Sequence, residues 1–275
     1  MAYTNFKPTV WSKHIQHEIE KLCVMQEDCN TEWQGEVGLG KKVKIIGATR
    51  PTVKTYTPGT DIDAAETPAD TSIFLDVDQY KYTHFIVDDI DEAQSVDGLM
   101  QAYMQESAAA LAEYRDSFLA QVAAGNSQDG MVAASAAITT AAAAKKAVDN
   151  AFVALWNNSV KINSDVTIVV TPWFYDLFKG SLTESLTNNV DMIKKGVVGM
   201  YNGAMVKMSN NLHNDGTDDC MIIRTKKALA FAHGIDKVEP YRPEKQFGDA
   251  IKVLDTYGAK IVRPKELYVI KAHHG

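Results

Sequence analysis

Cysteine is scarce in this chain: its 275 residues include three, Cys23, Cys29 and Cys220. A secreted domain that depends on disulfide bonds has many cysteines, usually an even number at close spacings. An odd and widely spaced set is typical of a protein made in a reducing compartment. The sequence therefore predicts no disulfide framework, and a chain of this length can bury a sizeable hydrophobic core instead.

Membrane-spanning and secretory segments are also lacking. No stretch of about 18 consecutive apolar residues occurs, because Ser, Thr and Lys interrupt the Ala-rich region at 131–160. The first residues, MAYTNFKPTVW, contain no apolar run of signal-peptide length. We expect a soluble protein that is synthesised in the cytoplasm and makes no membrane contact.

Basic residues are too few for a dedicated nucleic-acid-binding protein. The chain has 28 Lys and Arg residues against 35 Asp and Glu residues, a formal net charge of −7. Proteins that grip nucleic acid usually present a strongly basic face to the phosphates. This balance argues against that function class.

Catalytic and ligand-binding motifs are absent from the sequence. There is no G-x-S-x-G, and no cysteine has an evident histidine partner. Residues 35–42 approach the phosphate-binding pattern G-x-x-x-x-G-K-[ST], but a lysine replaces the required hydroxyl and a strand is predicted to follow. His14 and His17, followed by Cys23 and Cys29, lack the tight cysteine spacing of structural zinc sites. The sequence thus predicts no enzyme, no cofactor and no metal site.

The most regular feature that is present is a long amphipathic helix at Asp97–Ala124. About 28 residues make a helix of about 42 Å, whereas a compact globule of this chain length has a radius of gyration of about 19 Å. We therefore expect an extended subunit arranged along this helix. Glu113, Arg115 and Asp116 are predicted to lie mostly away from its apolar face. That face is formed by residues spaced three or four apart: Met100, Met104, Ala108, Leu111, Phe118 and Val122.

A β-arm is predicted before this helix. Residues 43–56 and 71–91 are rich in Val, Ile, Thr, Tyr and Phe, as strands are. The segment between them, TPGTDIDAAETPAD, contains four acids, Asp61, Asp63, Glu66 and Asp70, and no base. A limb of about 15 residues reaches about 50 Å, and an isolated two-stranded ribbon is at best marginal in water. We expect a neighbouring subunit to cover it.

Shorter elements are predicted for the rest of the chain. The predicted helices lie at 9–28, in the Ala-rich region, from Pro172 to about 179, within 182–195 and at 226–232. The predicted strands lie at 165–170, Ala204–Met208 and Met221–Arg224, and three more follow Phe247, separated by residues 258–259 and 264–266. This order predicts an α+β protein with a compact α/β lobe.

The chain resembles the major capsid (coat) proteins of tailed bacteriophages, whose fold is named after the phage Hong Kong 97. Each matching segment is short, and their order and spacing make the resemblance specific from about Val43 onward. The segments are FLDVDQYKYTHFIVDDIDEAQS (Phe74–Ser95), DVTIVVTPWFYDLF (Asp165–Phe178), GMYNGAMVKMSNNL (Gly199–Leu212), KALAFAHGIDKVEPYRPEKQFGD (Lys227–Asp249) and YGAKIVRPKELYVI (Tyr257–Ile270).

The resemblance implies a division of the chain into parts. Residues 1–41 correspond to an N-terminal arm and residues 42–82 to an extended β-loop that lies over an adjacent subunit. Residues 83–129 and 247–275 correspond to a peripheral domain built on a long spine helix. Residues 130–246 correspond to an axial α/β domain clustered around five-fold and six-fold axes.

The resemblance also implies the partners. Copies of the chain are expected to assemble through pentamers and hexamers into an icosahedral phage head that encloses double-stranded DNA without sequence specificity. A separate scaffolding protein is expected because the chain starts almost directly at the helix of the N-terminal arm. A portal protein and a decoration protein are further partners. The protein is expected in the virion after synthesis and assembly in the host cytoplasm.

One prediction concerns the assembly contacts. The acidic tip of the β-loop, at Asp61, Asp63 and Glu66, is expected to dock near a basic patch of a neighbouring subunit. The candidate patches are two lysine pairs: Lys194 and Lys195, or Lys226 and Lys227.

Two alternatives stay open at this point. One is an encapsulin-type bacterial nanocompartment shell, which has the same architecture and holds enzymes instead of DNA. The other is a small oligomeric α/β enzyme in which the β-arm is a dimerisation device.

Overall fold

The computed structural model describes residues 23–33, 42–48, 52–61, 64, 70–88, 99–161, 165–179, 197–234 and 237–275. The first part of the predicted helix at 9–28, up to residue 22, and the predicted helical segment at 182–195 lie outside these residues, as do Asp63, Glu66, Lys194 and Lys195.

The long helix is present as predicted. Helix α1 spans Leu99–Ala124, and its 26 residues make it about 39 Å long. Helix α2 spans Ala141–Asn157, and its N-cap residue Thr140 accepts a hydrogen bond from the Ala143 N–H. Helix α3 spans Pro172–Phe178 and begins at the predicted proline. In the described part of the chain, no helix is both long and apolar enough to cross a membrane.

A six-stranded mixed sheet forms the larger lobe. Its strands are β4 (Ala136–Ile138), β5 (Val166–Val170), β6 (Val197–Tyr201), β7 (Ala204–Met208), β8 (Asp219–Thr225) and β12 (Leu267–His274). Their order in the sheet is β4-β12-β8-β5-β7-β6. The pairs are antiparallel except β12–β4 and β5–β7, which are parallel.

Both faces of this sheet are buried, because its central strands alternate between two cores. Ile168, Met221 and Ile270 point to the core that also contains Phe152 of α2 and Phe174 of α3. The residues between them point to the opposite core, where they meet the C-terminal half of α1; these are Val169, Ile222, Leu267 and Val269. The predicted apolar strands therefore lie in the middle of a three-layer lobe.

A second sheet packs along α1. Its strands are β3 (Gln79–Asp88), β9 (Leu229–His233), β10 (Lys237–Tyr241) and β11 (Gly248–Ile261). Their order is β10-β11-β3, and β9 also pairs with β11. Ile251 and Val253 of β11 pack against Met104, Ala108 and Leu111 of α1.

The β-arm begins as a hairpin of two antiparallel strands, β1 (Lys42–Ala48) and β2 (Asp70–Asp76). Val43 and Leu75 are buried against Ala230 and Ala232 of β9, so the base of the arm is anchored in its own subunit. The paired strands are seven residues long. The predicted limb of about 15 paired residues is wrong, because residues 52–57 have no regular secondary structure.

Three further predictions are corrected. Residues 226–232 were predicted as a helix, but Leu229–His233 is a strand held by backbone pairing with Tyr257–Ile261. The first two C-terminal strands are one strand of 14 residues that continues through Gly258. The described end of the predicted helix at 9–28 contains a 3₁₀ turn at Gln26–Asp28, because side chains from elsewhere take its backbone groups.

The strand pairing crosses the predicted domain boundaries at two places. β12, predicted to be peripheral, pairs with β8 in the six-stranded sheet. β9 and β10, predicted to be axial, pair with β11 alongside α1. The division into peripheral and axial domains stays a prediction.

Candidate assembly surfaces

The arm carries apolar side chains that its own subunit does not cover. All residues from 52 to 61 are exposed, although the arm is anchored at its base. Val53 is 89% exposed and Tyr56 is 61% exposed. These exposed apolar groups make the β-arm a candidate contact site for another molecule.

The structure describes three of the predicted contact residues. Asp61 is exposed near the end of the arm, and Lys226 and Lys227 are exposed at the turn between β8 and β9. Within the described part of one chain, no ion pair joins Asp61 to either lysine. A contact between these charges would therefore have to form between subunits.

The two lysines line a groove of about 660 Å³. Arg263 lines it too, but its Nη1 donates to the Glu266 Oε1 at 2.8 Å, so its charge is already paired. The other charged residues of the lining are Glu32, Lys161 and Asp165. Lys226 and Lys227, together with Lys161, are thus the exposed lysines that this groove offers to a partner.

A buried cluster of charges, which the sequence did not predict, fixes the segment at 23–30. Arg115 and Asp116 were predicted to lie off the apolar face of α1, yet they are 3% and 1% exposed. Arg115 donates to the Asp255 carboxylate and, through Nη1, to the Gln26 Oε1 at 3.0 Å. The sequence does contain a signal for the burial of Arg115, because this residue is four positions from both Leu111 and Leu119 and therefore lies on the same helix face.

Asp116 holds the backbone of the same segment. Its two carboxylate oxygens accept hydrogen bonds from the Val24 N–H at 2.7 Å and the Met25 N–H at 3.1 Å. Burial raises the pKa of Asp116 to about 6, although these two donors and the nearby Lys207 and Arg115 act in the opposite direction. The carboxylate is therefore a titratable buried group.

Two more buried cations complete the cluster. The Lys207 Nζ lies 2.6 Å from the Asp28 Oδ2 and donates to the Val24 carbonyl at 3.1 Å. Arg224 is fully buried and donates to the backbone carbonyls of Met25 and Asp28. Side chains from α1, β7 and β8 therefore hold one short segment between the helix and the six-stranded sheet.

The cysteines are buried, as small core thiols are. Burial raises the pKa of the Cys23 thiol, whose Sγ donates to the Ala112 carbonyl at 3.7 Å. Burial also raises the pKa values of Cys29 and Cys220. Among the residues that the structure describes, no three His, Cys, Asp or Glu side chains are grouped to hold a metal ion.

Comparisons with known proteins identify proteins that share this architecture. The family model described as "Phage capsid protein" matches residues 48–270. A search of curated proteins finds no match. A solved structure from Mycobacterium phage Che8 is 31% identical, with a TM-score of 0.72 and 90% of each chain covered.

More distant structures share the fold. The capsid of the cyanophage P-SCSP1u is 16% identical, with a TM-score of 0.65 over 87% of this chain and 85% of the other. A virus-like particle from Pyrococcus furiosus is 13% identical, with a TM-score of 0.59 over 95% and 98% of the two chains. The chain belongs to the phage capsid protein family and is a major capsid protein with an α+β, Hong Kong 97-like fold, a structural protein of the virion that forms an icosahedral shell from copies of itself.

Proposed function

We propose that the shell is a phage head enclosing double-stranded DNA, and that the subunits assemble as pentamers and hexamers joined by their arms. The observation that supports this proposal best is the exposure of every residue from 52 to 61, including Val53 and Tyr56, beyond an arm base that is firmly buried. A limb with this character needs a cover that its own subunit does not supply.

Ring formation follows from the geometry of such a contact. An arm on one subunit that reaches a different surface on the next makes a heterologous contact, which closes into rings when the rotation allows. Burying about 1,000 Å² per arm at about 25 cal/mol per Å² gives an upper limit of about 25 kcal/mol, before large ordering and association costs. A small net gain per contact, repeated around a shell, holds it together.

The division of the subunit is part of this proposal. Residues 42–82 act as the extended β-loop, and residues 83–129 with 247–275 form the peripheral part around α1. Residues 130–246 form the axial part that surrounds the five-fold and six-fold axes. Residues 1–41 act as an N-terminal arm.

The acidic tip is proposed to dock on a neighbour's lysines. Asp61, Asp63 and Glu66 supply the negative charge, and either Lys226 and Lys227 or Lys194 and Lys195 supply the positive charge. The groove beside Lys226 and Lys227 supports the first pair, because Glu266 already pairs with Arg263 there and leaves the lysines facing outward.

Charge reversal tests the docking contact. The triple variant Asp61→Lys, Asp63→Lys and Glu66→Lys is expected to lower the yield of closed shells at least tenfold in size-exclusion chromatography and electron microscopy. A control with the same charge change reverses three exposed acids elsewhere: Glu106, Glu113 and Asp129. A wild-type shell yield from the tip variant would refute the docking contact.

Further partners complete the proposal. A separate scaffolding protein guides assembly, a portal protein occupies one vertex, and a decoration protein binds the finished shell. The acidic balance of the chain fits a shell that does not hold the packaged DNA tightly, since strong phosphate binding needs an excess of Lys and Arg. Synthesis and assembly take place in the cytoplasm of the host bacterium.

A nanocompartment shell is the second candidate, because the Pyrococcus furiosus virus-like particle shares the fold. The interpretation as a phage head is favoured by the match of the phage capsid family model to residues 48–270 and by the 31% identity to the Che8 structure. Particles purified from the native source separate the two: nuclease-protected double-stranded DNA inside supports a phage head, and a protein cargo without DNA supports a compartment.

A further inference from the structure

Residues 23–30, here called the strap, lie between helix α1 and the six-stranded sheet without belonging to either. The strap contains a 3₁₀ turn at Gln26–Asp28 and a single-residue bridge to β9. In this bridge Asn30 donates to the Leu229 carbonyl at 2.8 Å and accepts from the Phe231 N–H at 3.0 Å. Few backbone pairs therefore attach the strap to the body, and side chains hold the rest of it.

The walls on the two sides of the strap contact each other directly. Leu119 of α1 lies in one buried cluster with Ile222 and Val269 of the six-stranded sheet. Arg115 and Asp255 join α1 to β11 through their ion pair. These contacts involve no strap residue. The space that the strap fills, here called the slot, therefore keeps its walls when the strap leaves.

Side chains of the slot bind the backbone of the strap. Asp116 accepts hydrogen bonds from two strap N–H groups, and Arg224 and Lys207 together donate to three strap carbonyls. The bound groups are the Val24 N–H and carbonyl, the Met25 N–H and carbonyl, and the Asp28 carbonyl. Domains that recognise extended peptides use the same mode, in which contacts to the main chain give affinity.

The slot also recognises two strap side chains. The Arg115 Nη1 donates to the Gln26 Oε1 at 3.0 Å, and the Lys207 Nζ lies 2.6 Å from the Asp28 Oδ2. With its carboxylates ionised the slot has a net charge of +1, from three cations and two anions: Arg115, Lys207, Arg224, Asp116 and Asp255. Asp28 of the strap supplies the negative charge that balances it, so the slot fits an acidic peptide.

The strap is joined to the β-arm by a link of some length. Eight residues, 34–41, lie between Trp33 and the first residue of β1. Eight residues span up to about 29 Å, so the length of the link does not confine the strap to the slot of its own subunit. Because the shell is built from copies of this chain, each slot has other copies of the strap nearby.

We infer that the slot is a peptide-binding site for the segment 23–30, and that it accepts this segment from a second copy of the chain as well as from its own. Exchange of one identical element between subunits requires no contact that the subunit does not already make. This inference goes beyond the proposed function, because it holds for a phage head and for a nanocompartment alike.

A peptide supplied to the full chain tests the site. Asp28→Lys places a second cation beside Lys207 and is expected to release the strap of its own chain. A fluorescent peptide with the wild-type sequence of residues 22–33 is then titrated into the unassembled subunit under reducing conditions. Fluorescence anisotropy should show binding at least tenfold tighter to the Asp28→Lys chain than to the wild-type chain, whose own strap occupies the slot.

Two matched controls accompany this titration. Glu27→Lys makes the same charge change at the neighbouring exposed position, and this chain should bind the peptide as weakly as the wild type does. A peptide that itself carries Asp28→Lys should not bind the Asp28→Lys chain. Charge reversal of both partners in one chain, Asp28→Lys with Lys207→Glu, should close the slot again and lower peptide binding to the wild-type level.

The native thiols report whether the strap has left without unfolding of the subunit. Cys23 and Cys29 lie in the strap and Cys220 lies in β8, and all three are buried. In the Asp28→Lys chain, Cys23 and Cys29 should react with a maleimide dye at least tenfold faster than in the wild type, whereas the rate for Cys220 should stay unchanged.

Two outcomes would overturn the inference. One is a released strap, with Cys23 and Cys29 reactive and Cys220 protected, in a chain that does not bind the wild-type peptide. The other is an equal increase in reactivity at all three cysteines, because the strap would then leave only when the whole subunit unfolds and would not be a separable ligand.

Discussion

Arg115 of helix α1 and Asp255 of strand β11 form a buried, bidentate ion pair. The Arg115 Nη2 lies 2.6 Å from the Asp255 Oδ1, and the Arg115 Nε donates to the Asp255 Oδ2 at 3.1 Å. The two side chains are 4% and 2% exposed, so water does not screen their charges. The pair ties α1 to β11 beside Gln26, which belongs to the segment at 23–30 between the helix and the six-stranded sheet.

Removing one charge of this pair is expected to be costly. Arg115→Leu leaves the Asp255 carboxylate buried without its partner, which destabilises a protein by about 3–5 kcal/mol. Urea denaturation of the unassembled subunit measures the loss. Lys179→Leu is the control, because its ion pair with Asp176 is exposed and should contribute little to the free energy of unfolding. A cost for Arg115→Leu as small as that of the control would contradict the role given to this pair.

Asp116 is expected to make the subunit less stable as the pH rises. Burial raises its pKa from 3.8 to about 6, so the folded chain binds this proton more tightly than the unfolded chain does. The resulting stabilisation is fully present below about pH 4 and is lost as the pH rises through about 6. The contribution of Asp116 to the free energy of unfolding therefore falls by about 3 kcal/mol between low and high pH.

A comparison with Asp116→Asn isolates this group, since the other titrating residues are common to both chains. The free energy of unfolding of the wild type, minus that of the variant, should fall between pH 4 and pH 7. A difference that stays constant across this range, or that rises with pH, would show that the Asp116 carboxyl is charged throughout.

Gly258 is expected to tolerate no side chain. A Cβ at this position would lie 2.0 Å from the backbone oxygen of Asp76, where β11 passes the base of the arm. Gly258→Ala should therefore force the two backbones apart and cost at least about 1–3 kcal/mol. Gly125→Ala is the control, because its nearest atom would be 3.3 Å away. Equal melting temperatures for the two variants would argue against a close approach.

The lysine pair at the turn between β8 and β9 is expected to matter for assembly and not for folding. Lys226→Glu with Lys227→Glu replaces two exposed cations, so the melting temperature of the unassembled subunit should change by less than about 2 °C. The shell yield should fall at least tenfold. Combining this variant with the reversed acidic tip should restore much of the yield. No restoration would indicate that the tip docks elsewhere.

The sequence predicted those parts of the fold in which the local pattern and the tertiary contacts agree. Helix α1, the proline-initiated α3 and the buried strand β5 all have such patterns, and the structure contains each of them. The exposed arm tip at Asp61 was likewise expected from its acidic, proline-containing segment.

The errors arose where distant contacts override the local pattern. The segment at 226–232 has helix-forming Ala and Leu, but Ala230 and Phe231 pair with β11 and become a strand. Gly258 suggested a turn, whereas its missing side chain permits a close crossing of two backbones. Arg115 and Asp116 suggested a solvent-facing side of the helix, and no local pattern reveals the buried partners Asp255 and Val24.

Electron microscopy of the purified, expressed chain tests the central claim most directly, namely that this polypeptide has surface that copies of itself cover in a closed lattice. The account predicts closed icosahedral shells, or rings of five and six subunits, with continuous density from each arm to the next subunit. A stable monomer or small compact oligomer, with the arm folded against its own body and Val53 and Tyr56 protected, would contradict it.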